Sequence, residues 1–215
     1  MARTIEEYLL THEVAKLQLG CGGNMLEGWC NTDGQCDGWY HPDGIRLDAS
    51  KPFPINDNSF DYVFSEHMIE HLDYWSGYRM LEESFRVLKP GGRIRISCPS
   101  IDLLMQICAD KEHPDHKAYI EFLLNEPDKE PFVDDMFIFN KMFRFCGHTH
   151  IYTKTGLVTT MTAVGFEDFS EHNIIESDDP NLVGLEKVWH MPDFDGHNSR
   201  ILQMETMTIE AVKPK

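Results

Sequence analysis

Lys16-Leu17-Gln18-Leu19 is a short, apolar-rich run that closes on Gly20-Cys21-Gly22-Gly23, and this junction constrains the fold more than any other stretch of the chain. An apolar run ended by glycines is how a buried strand hands over to a tight loop. Glycine lets backbone N–H groups approach a ligand with no Cβ in the way, and open α/β sheets bind ligands at the carboxyl ends of their strands. An ordinary tight turn would look the same in isolation. Met25 stands where a G-x-G-x-x-G fingerprint needs its last glycine, which demotes a nicotinamide-dinucleotide reading.

The signals that follow alternate between strand and helix. Thr4 and Glu7 have capping-box spacing, so a short helix runs from Thr4 to about His12, over the ligand mouth or the sheet edge. Trp29 to Asp33 is a second extended run. It comes so soon after Leu19 that the crossover between them, which usually needs about a dozen residues or more, must be shortened. Phe60 to Ser65 is a strand, and Tyr74, Tyr78, Leu81, Phe85 and Leu88 then recur at helical spacing. Pro90-Gly91-Gly92 is expected to stop that helix and start a strand over Arg93 to Cys98. Thr153 can cap a helix that Gly165 ends at C′. The chain closes on an alternating strand around Met207, Ile209 and Ala211, antiparallel to one near Phe166 to Asn173. The whole is one α/β domain over 1–215 with a doubly wound sheet. An insertion at about 103–150, rich in Pro114, Pro127, Pro131, Phe132, Phe137, Phe139, Phe143 and Phe145, interrupts it on the substrate side.

Charge and cysteine content limit the partners. Asp and Glu number 36 against 19 Lys and Arg, a formal net charge of −17. That balance repels phosphate backbones and anionic lipid surfaces, so neither nucleic acid nor membrane is expected as a partner. The six cysteines, Cys21, Cys30, Cys36, Cys98, Cys108 and Cys146, show no C-x-x-C pair, and no basic and apolar leader opens the chain. Reduced, structural thiols in a cytoplasmic protein are expected.

Candidate functional residues gather at predicted strand ends. Asp33, at the end of the second strand, suits a ribose diol; as a turn residue beside Gly34 it would have no such role. Asp48 and Ala49 precede a Pro-rich loop and suit an adenine edge, or a turn cap. Ser65-Glu66-His67-Met68-Ile69-Glu70-His71 packs four titratable groups behind the fourth strand. If helical, it pairs Glu66 with Glu70 and His67 with His71. No third ligand lies nearby, so no metal is expected, and Glu70 with His71 can equally be a hydrogen-bonded brace. His148 and His150 alternate in an extended stretch and so share a face. They are candidates for a general base, with His67 in a positioning role and Glu66 and Tyr152 in reserve.

Taken in order, Leu17 to Gly23, Trp29 to Asp33, Phe53 to Phe64, Ser65 to Leu72 and Phe85 to Arg93 resemble a class I S-adenosylmethionine-dependent methyltransferase. The similarity is greatest to the small bacterial-type enzymes met in polysaccharide and glycan loci. It runs from Lys16 to Pro99 and, more loosely, from Thr153 to Lys213. It implies a Rossmann-like, mostly parallel seven-stranded sheet with a C-terminal antiparallel hairpin. By the same resemblance S-adenosylmethionine is the cofactor, with Gly20, Cys21 and Gly22 along its methionine moiety, Asp33 at the ribose, Asp48 and Ala49 at the adenine, and Ser65 and His67 beside the sulfonium. The reaction implied is methyl transfer to an oxygen or nitrogen of a small-molecule or glycan-like acceptor. A non-catalytic cofactor-binding module is the alternative reading, and an NAD-dependent oxidoreductase is the least favoured.

Overall fold

The computed structural model describes residues 4–34, 44–124, 134–144, 147–187 and 203–215. Its frame is a seven-stranded sheet in the order β3-β2-β1-β4-β5-β7-β6. The strands are β1 (Lys16–Leu19), β2 (Cys30–Asp33), β3 (Ile45–Arg46), β4 (Phe60–Glu66), β5 (Leu88–Pro99), β6 (Glu167–His172) and β7 (Thr206–Val212). The first five are parallel, and β7 runs antiparallel between β5 and β6. Strand order reverses at β1, with β2 on one side and β4 on the other. The crevice of such a sheet opens at the carboxyl ends of those strands. Leu17, Leu19, Val63, Phe64, Ile94 and Ile96 are fully buried, as strands covered on both faces require.

No helix forms between β1 and β2. The backbone groups such a helix would satisfy find other partners: Leu26 N–H donates to Asn31 Oδ1, and the Asn31 amide donates to the carbonyls of Leu26 and Trp29. Leu26 and Trp29 pack with Phe64, Leu182 and Leu185. A segment from the far end of the chain thus covers the sheet where a crossover helix would lie.

Helix α1 (Ile5–Thr11) is capped by the Thr4 hydroxyl, which accepts from Glu7 N–H. Its Tyr8 hydroxyl donates to Gly28 O and accepts from Lys16 N–H, so α1 sits at the amino-terminal start of β1, away from the ligand mouth. Helix α2 (Tyr74–Val87) is capped by Asp73 and ends before Pro90. Leu88 already pairs with Phe60 as a strand residue, and Pro90-Gly91-Gly92 lies in the register shift before Arg93 meets Tyr62. A Cβ on Gly92 would press on the carbonyls of Lys89 and Asp61 at 2.9 and 3.0 Å. The Pro-Gly-Gly run therefore shapes a bulge within β5 and does not stop the helix. Helix α6 (Lys154–Val164) has the Thr153 cap and a left-handed Gly165 at its end.

Between β5 and α6 come α3 (Ile101–Ala109), α4 (Pro114–Leu124) and α5 (Asp135–Arg144). Leu104, Ile107, Tyr119, Ile138, Met142 and Ile151 give them a small core of their own. Cys36, Pro127, Pro131, Phe132, Phe145 and Cys146 lie outside the described residues. Cys30, Cys98 and Cys108 are free thiols. Among the described residues no helix is long and apolar enough to cross a membrane.

One buried charge cluster ties the chain's end to the sheet. Arg95, on β5 and fully buried, donates from Nε to Glu186 Oε1 and from a terminal nitrogen to Glu210 Oε1, each at 2.6 Å. It also donates to Glu176 O at 2.8 Å. Glu186 accepts further bonds from the Ser97 hydroxyl and Ile175 N–H.

Candidate active site

β1 hands directly into the glycine loop. Gly20 and Gly22 take φ of 65° and 46°, the left-handed region that suits glycine. A Cβ on Gly20 would lie 2.2 Å from Met68 Cγ, so the loop and the segment after β4 are in contact. Gly22 N–H donates to Asp33 Oδ2 at 2.9 Å. The structure thus joins the loop to the carboxylate expected at the ribose. Asn24, absent from the sequence-based candidates, donates to Glu66 Oε2 at 3.0 Å and Leu185 O at 2.8 Å. It links the loop to β4 and to the chain's distal segment. Asp48 is exposed and accepts from the Ser50 N–H and hydroxyl, which hold its carboxyl below the usual value. It has the geometry of a turn cap, with Ala49 buried in the core beside it.

The segment after β4 is not a helix. Strand pairing with β5 continues to Glu66, His67 N–H donates to Ser97 O, and His67 then turns with φ of 44° into a 3-10 turn, Ile69–His71. The expected i,i+4 pairs give way to an i,i+3 contact, with His67 Nδ1 3.5 Å from Glu70 Oε1. His67 Nε2 lies 2.8 Å from the Thr206 hydroxyl, and its side chain is 18% exposed. The Ser65 hydroxyl is buried without a hydrogen bond. Glu66 is raised to about 7, chiefly by burial.

Glu70 is the centre of the cluster. Its side chain is 0% exposed, and neither carboxylate oxygen accepts a well-formed hydrogen bond. Burial, with smaller contributions from the Glu205 and Glu66 carboxylates, raises it to about 8. Its carbonyl accepts from Thr149 N–H at 2.8 Å and His150 N–H at 3.1 Å, which fastens the 147–150 stretch onto the turn. His148 Nε2 comes within 3.9 Å of Glu70 Oε1, and its ring meets that of His71 edge-on at 4.9 Å. Burial first, then His71, depress His148 to about 4. His150 instead rests edge-on against Tyr74 and Tyr152, so the two histidines have different surroundings despite their alternation. Burial also lifts the Tyr152 hydroxyl well above its usual value. Glu205, raised to about 7 by burial, accepts from the Tyr119 hydroxyl at 2.6 Å. A cavity of about 400 Å³, bordered by Leu103, His172, Asn173, Gln203, Thr206 and Met207, opens beside this cluster.

A family model described as a methyltransferase domain matches residues 26–96. No curated protein matches the sequence. Among solved structures, an S-adenosylmethionine-dependent methyltransferase from Mesorhizobium loti is similar at a TM-score of 0.54 and 14% identity, over 93% of this chain and 90% of that one. An S-adenosylmethionine-dependent methyltransferase from Thermotoga maritima gives 0.51 and 16%, over 95% and 84%. Phosphoethanolamine N-methyltransferase 2 from Haemonchus contortus, solved with S-adenosyl-L-methionine, gives 0.50 and 14%, over 98% and 51%. At such identities the likeness is one of fold. Together with the glycine loop at the switch point of the sheet, the family match marks residues 26–96 as similar to a methyltransferase domain.

Proposed function

We propose that the chain moves the methyl group of S-adenosylmethionine to an oxygen or nitrogen of a small-molecule or glycan-like acceptor. The observation that carries this reading is the contact of His67 with Thr206, because Thr206 also borders the cavity of about 400 Å³. An acceptor seated there is one hydroxyl away from an imidazole at the carboxyl end of β4. The sulfonium is already an activated electrophile, so the protein mainly aligns the acceptor for in-line attack and takes a proton where the nucleophile carries one. Gly20, Cys21 and Gly22 line the methionine moiety in this reading, Asp33 holds the ribose, Asp48 and Ala49 border the adenine, and Ser65 and His67 flank the sulfonium. The acidic balance of the chain supports an acceptor that is not a nucleic acid.

Of the three histidines, His67 suits the proton-accepting role best, being partly exposed and oriented by the Thr206 hydroxyl at Nε2. His148 is buried and holds its neutral form strongly, and His150 is braced by two tyrosines. The test is transfer of labelled methyl to a panel of amines, phenols and sugars. A base contributes about 10²–10⁴-fold to rate and little to cofactor affinity. His67→Ala should lower kcat by that range with S-adenosylhomocysteine binding intact. Unchanged turnover in His67→Ala, with a loss in His148→Ala or His150→Ala, would place the base on the insertion side.

A further inference from the structure

Glu70 poses a problem that methyl transfer does not solve. A buried carboxyl group that is to ionise needs a hydrogen-bond donor or an opposite charge. Beyond a main-chain contact with its own N–H, its oxygens accept no well-formed hydrogen bond, and among the described residues its only ion-pair neighbours are imidazoles, at 3.5 and 3.9 Å. One ligand atom each from Glu70, His71 and His148 lies within 4.8 Å of the other two. The three converge from two separate stretches of chain, locked together by the bonds from Thr149 and His150 N–H to Glu70 O. Each imidazole also has a main-chain neighbour, Gly147 for His71 and Met142 for His148. A carbonyl partner of that kind orients a ligating histidine through its other nitrogen. His148 Nδ1 is nonetheless buried without a well-formed hydrogen bond.

We propose that Glu70, His71 and His148 form a binding site for one divalent first-row transition-metal ion of the zinc class. Donors around tetrahedral zinc, at bond lengths of about 2.0–2.2 Å, stand roughly 3.5 Å apart, so closure asks for about an ångström of side-chain movement. Two imidazoles and one carboxylate suit zinc, cobalt or iron and disfavour magnesium and calcium. The ion supplies the positive charge that Glu70 lacks. His71 is exposed at the rim, which gives the ion a path in and leaves a coordination position facing solvent, where water or an acceptor oxygen can bind. Of the i,i+4 pair His67 and His71, only His71 belongs to the set. The third ligand comes from His148, far along the chain.

The test uses the full, tag-free chain, treated with chelator and titrated with Co²⁺ while visible ligand-field absorption is followed. One Co²⁺ per chain should bind, and Zn²⁺ should displace it. His71→Ala, a change at the exposed rim, and Glu70→Gln should each weaken Co²⁺ at least tenfold. Circular dichroism and S-adenosylhomocysteine calorimetry report on the fold of each variant. A folded wild type that binds S-adenosylhomocysteine but no Co²⁺ up to millimolar concentration would overturn the site. So would uptake indifferent to both His71→Ala and His148→Ala. Co²⁺ uptake without S-adenosylhomocysteine binding would instead count against the methyl-transfer reading alone.

Discussion

Replacing Arg95 with methionine keeps much of the side-chain volume and removes, among the described residues, the only cation fully buried beside Glu186 and Glu210. Two charge-assisted bonds of 2.6 Å and one to the Glu176 carbonyl are lost. Glu186 keeps Ser97 and Ile175 as donors, whereas among the described residues Glu210 keeps only the distant contacts of Arg93 at 3.7 Å and His172 at 3.5 Å. Removing one partner of a buried pair costs about 3–5 kcal/mol, because it strands the other charge. For a chain of this size that is a fall in Tm of roughly 6–20 °C. Urea denaturation of Arg95→Met should show the loss as a lower midpoint with an unchanged slope, and Arg95→Met combined with Glu210→Gln should recover part of it. Glu186 adjoins Leu185, whose carbonyl accepts from Asn24 beside the glycine loop, so S-adenosylhomocysteine affinity should fall too. A loss below about 1 kcal/mol in the single variant, the range of exposed pairs, would refute the claim that this cluster pins the 173–187 segment.

Glu205→Gln tests the buried carboxyl under Tyr119. Its folded value of about 7 lies above the ordinary 4.5, so between those pH values the folded state holds a proton that the unfolded state has released. Stability contributed by this group therefore falls as pH rises from about 4.5 to 7 and is flat above. Thermal melts should find Glu205→Gln equal to the wild type near pH 4 and more stable by up to about 3 kcal/mol at pH 8; a variant equally destabilised at both would contradict the assignment. Asp33→Ala and Asp48→Ala should each weaken S-adenosylhomocysteine by roughly one to two orders of magnitude in calorimetry, as loss of a hydrogen bond to a charged group worth about 1.5–3 kcal/mol requires. Normal affinity in both would put the nucleoside elsewhere.

What could be read from the chain was local. Thr4, Thr153 and Gly165 act through bonds within a few residues, and the Leu19-to-Gly20 junction states its own conformation. The shortened first crossover followed from counting residues between Leu19 and Asp33. What escaped was decided across the sheet. His67 reads as the start of a helix until its N–H is found on Ser97 O. Arg95 alternates with Ile94 and Ile96, a pattern that places it in solvent, yet the 173–187 segment folds over it and provides Glu186. Asn24 carries no motif at all. Its importance comes from Glu66 and Leu185, which the fold brings to it, and the meeting of Glu70 with His148 likewise depends on contacts far apart in sequence.

Calorimetric titration of the purified chain with S-adenosylhomocysteine and, separately, with NAD, repeated on Gly22→Val, decides whether the glycine loop is the cofactor site. The account predicts one saturable site for S-adenosylhomocysteine, no saturable binding of NAD, and loss of the S-adenosylhomocysteine site in a Gly22→Val chain that still melts cooperatively, since Gly22 sits at φ of 46°, where a β-branched residue is strained. Saturable NAD binding with no response to S-adenosylhomocysteine, or unaltered S-adenosylhomocysteine affinity in folded Gly22→Val, would contradict it.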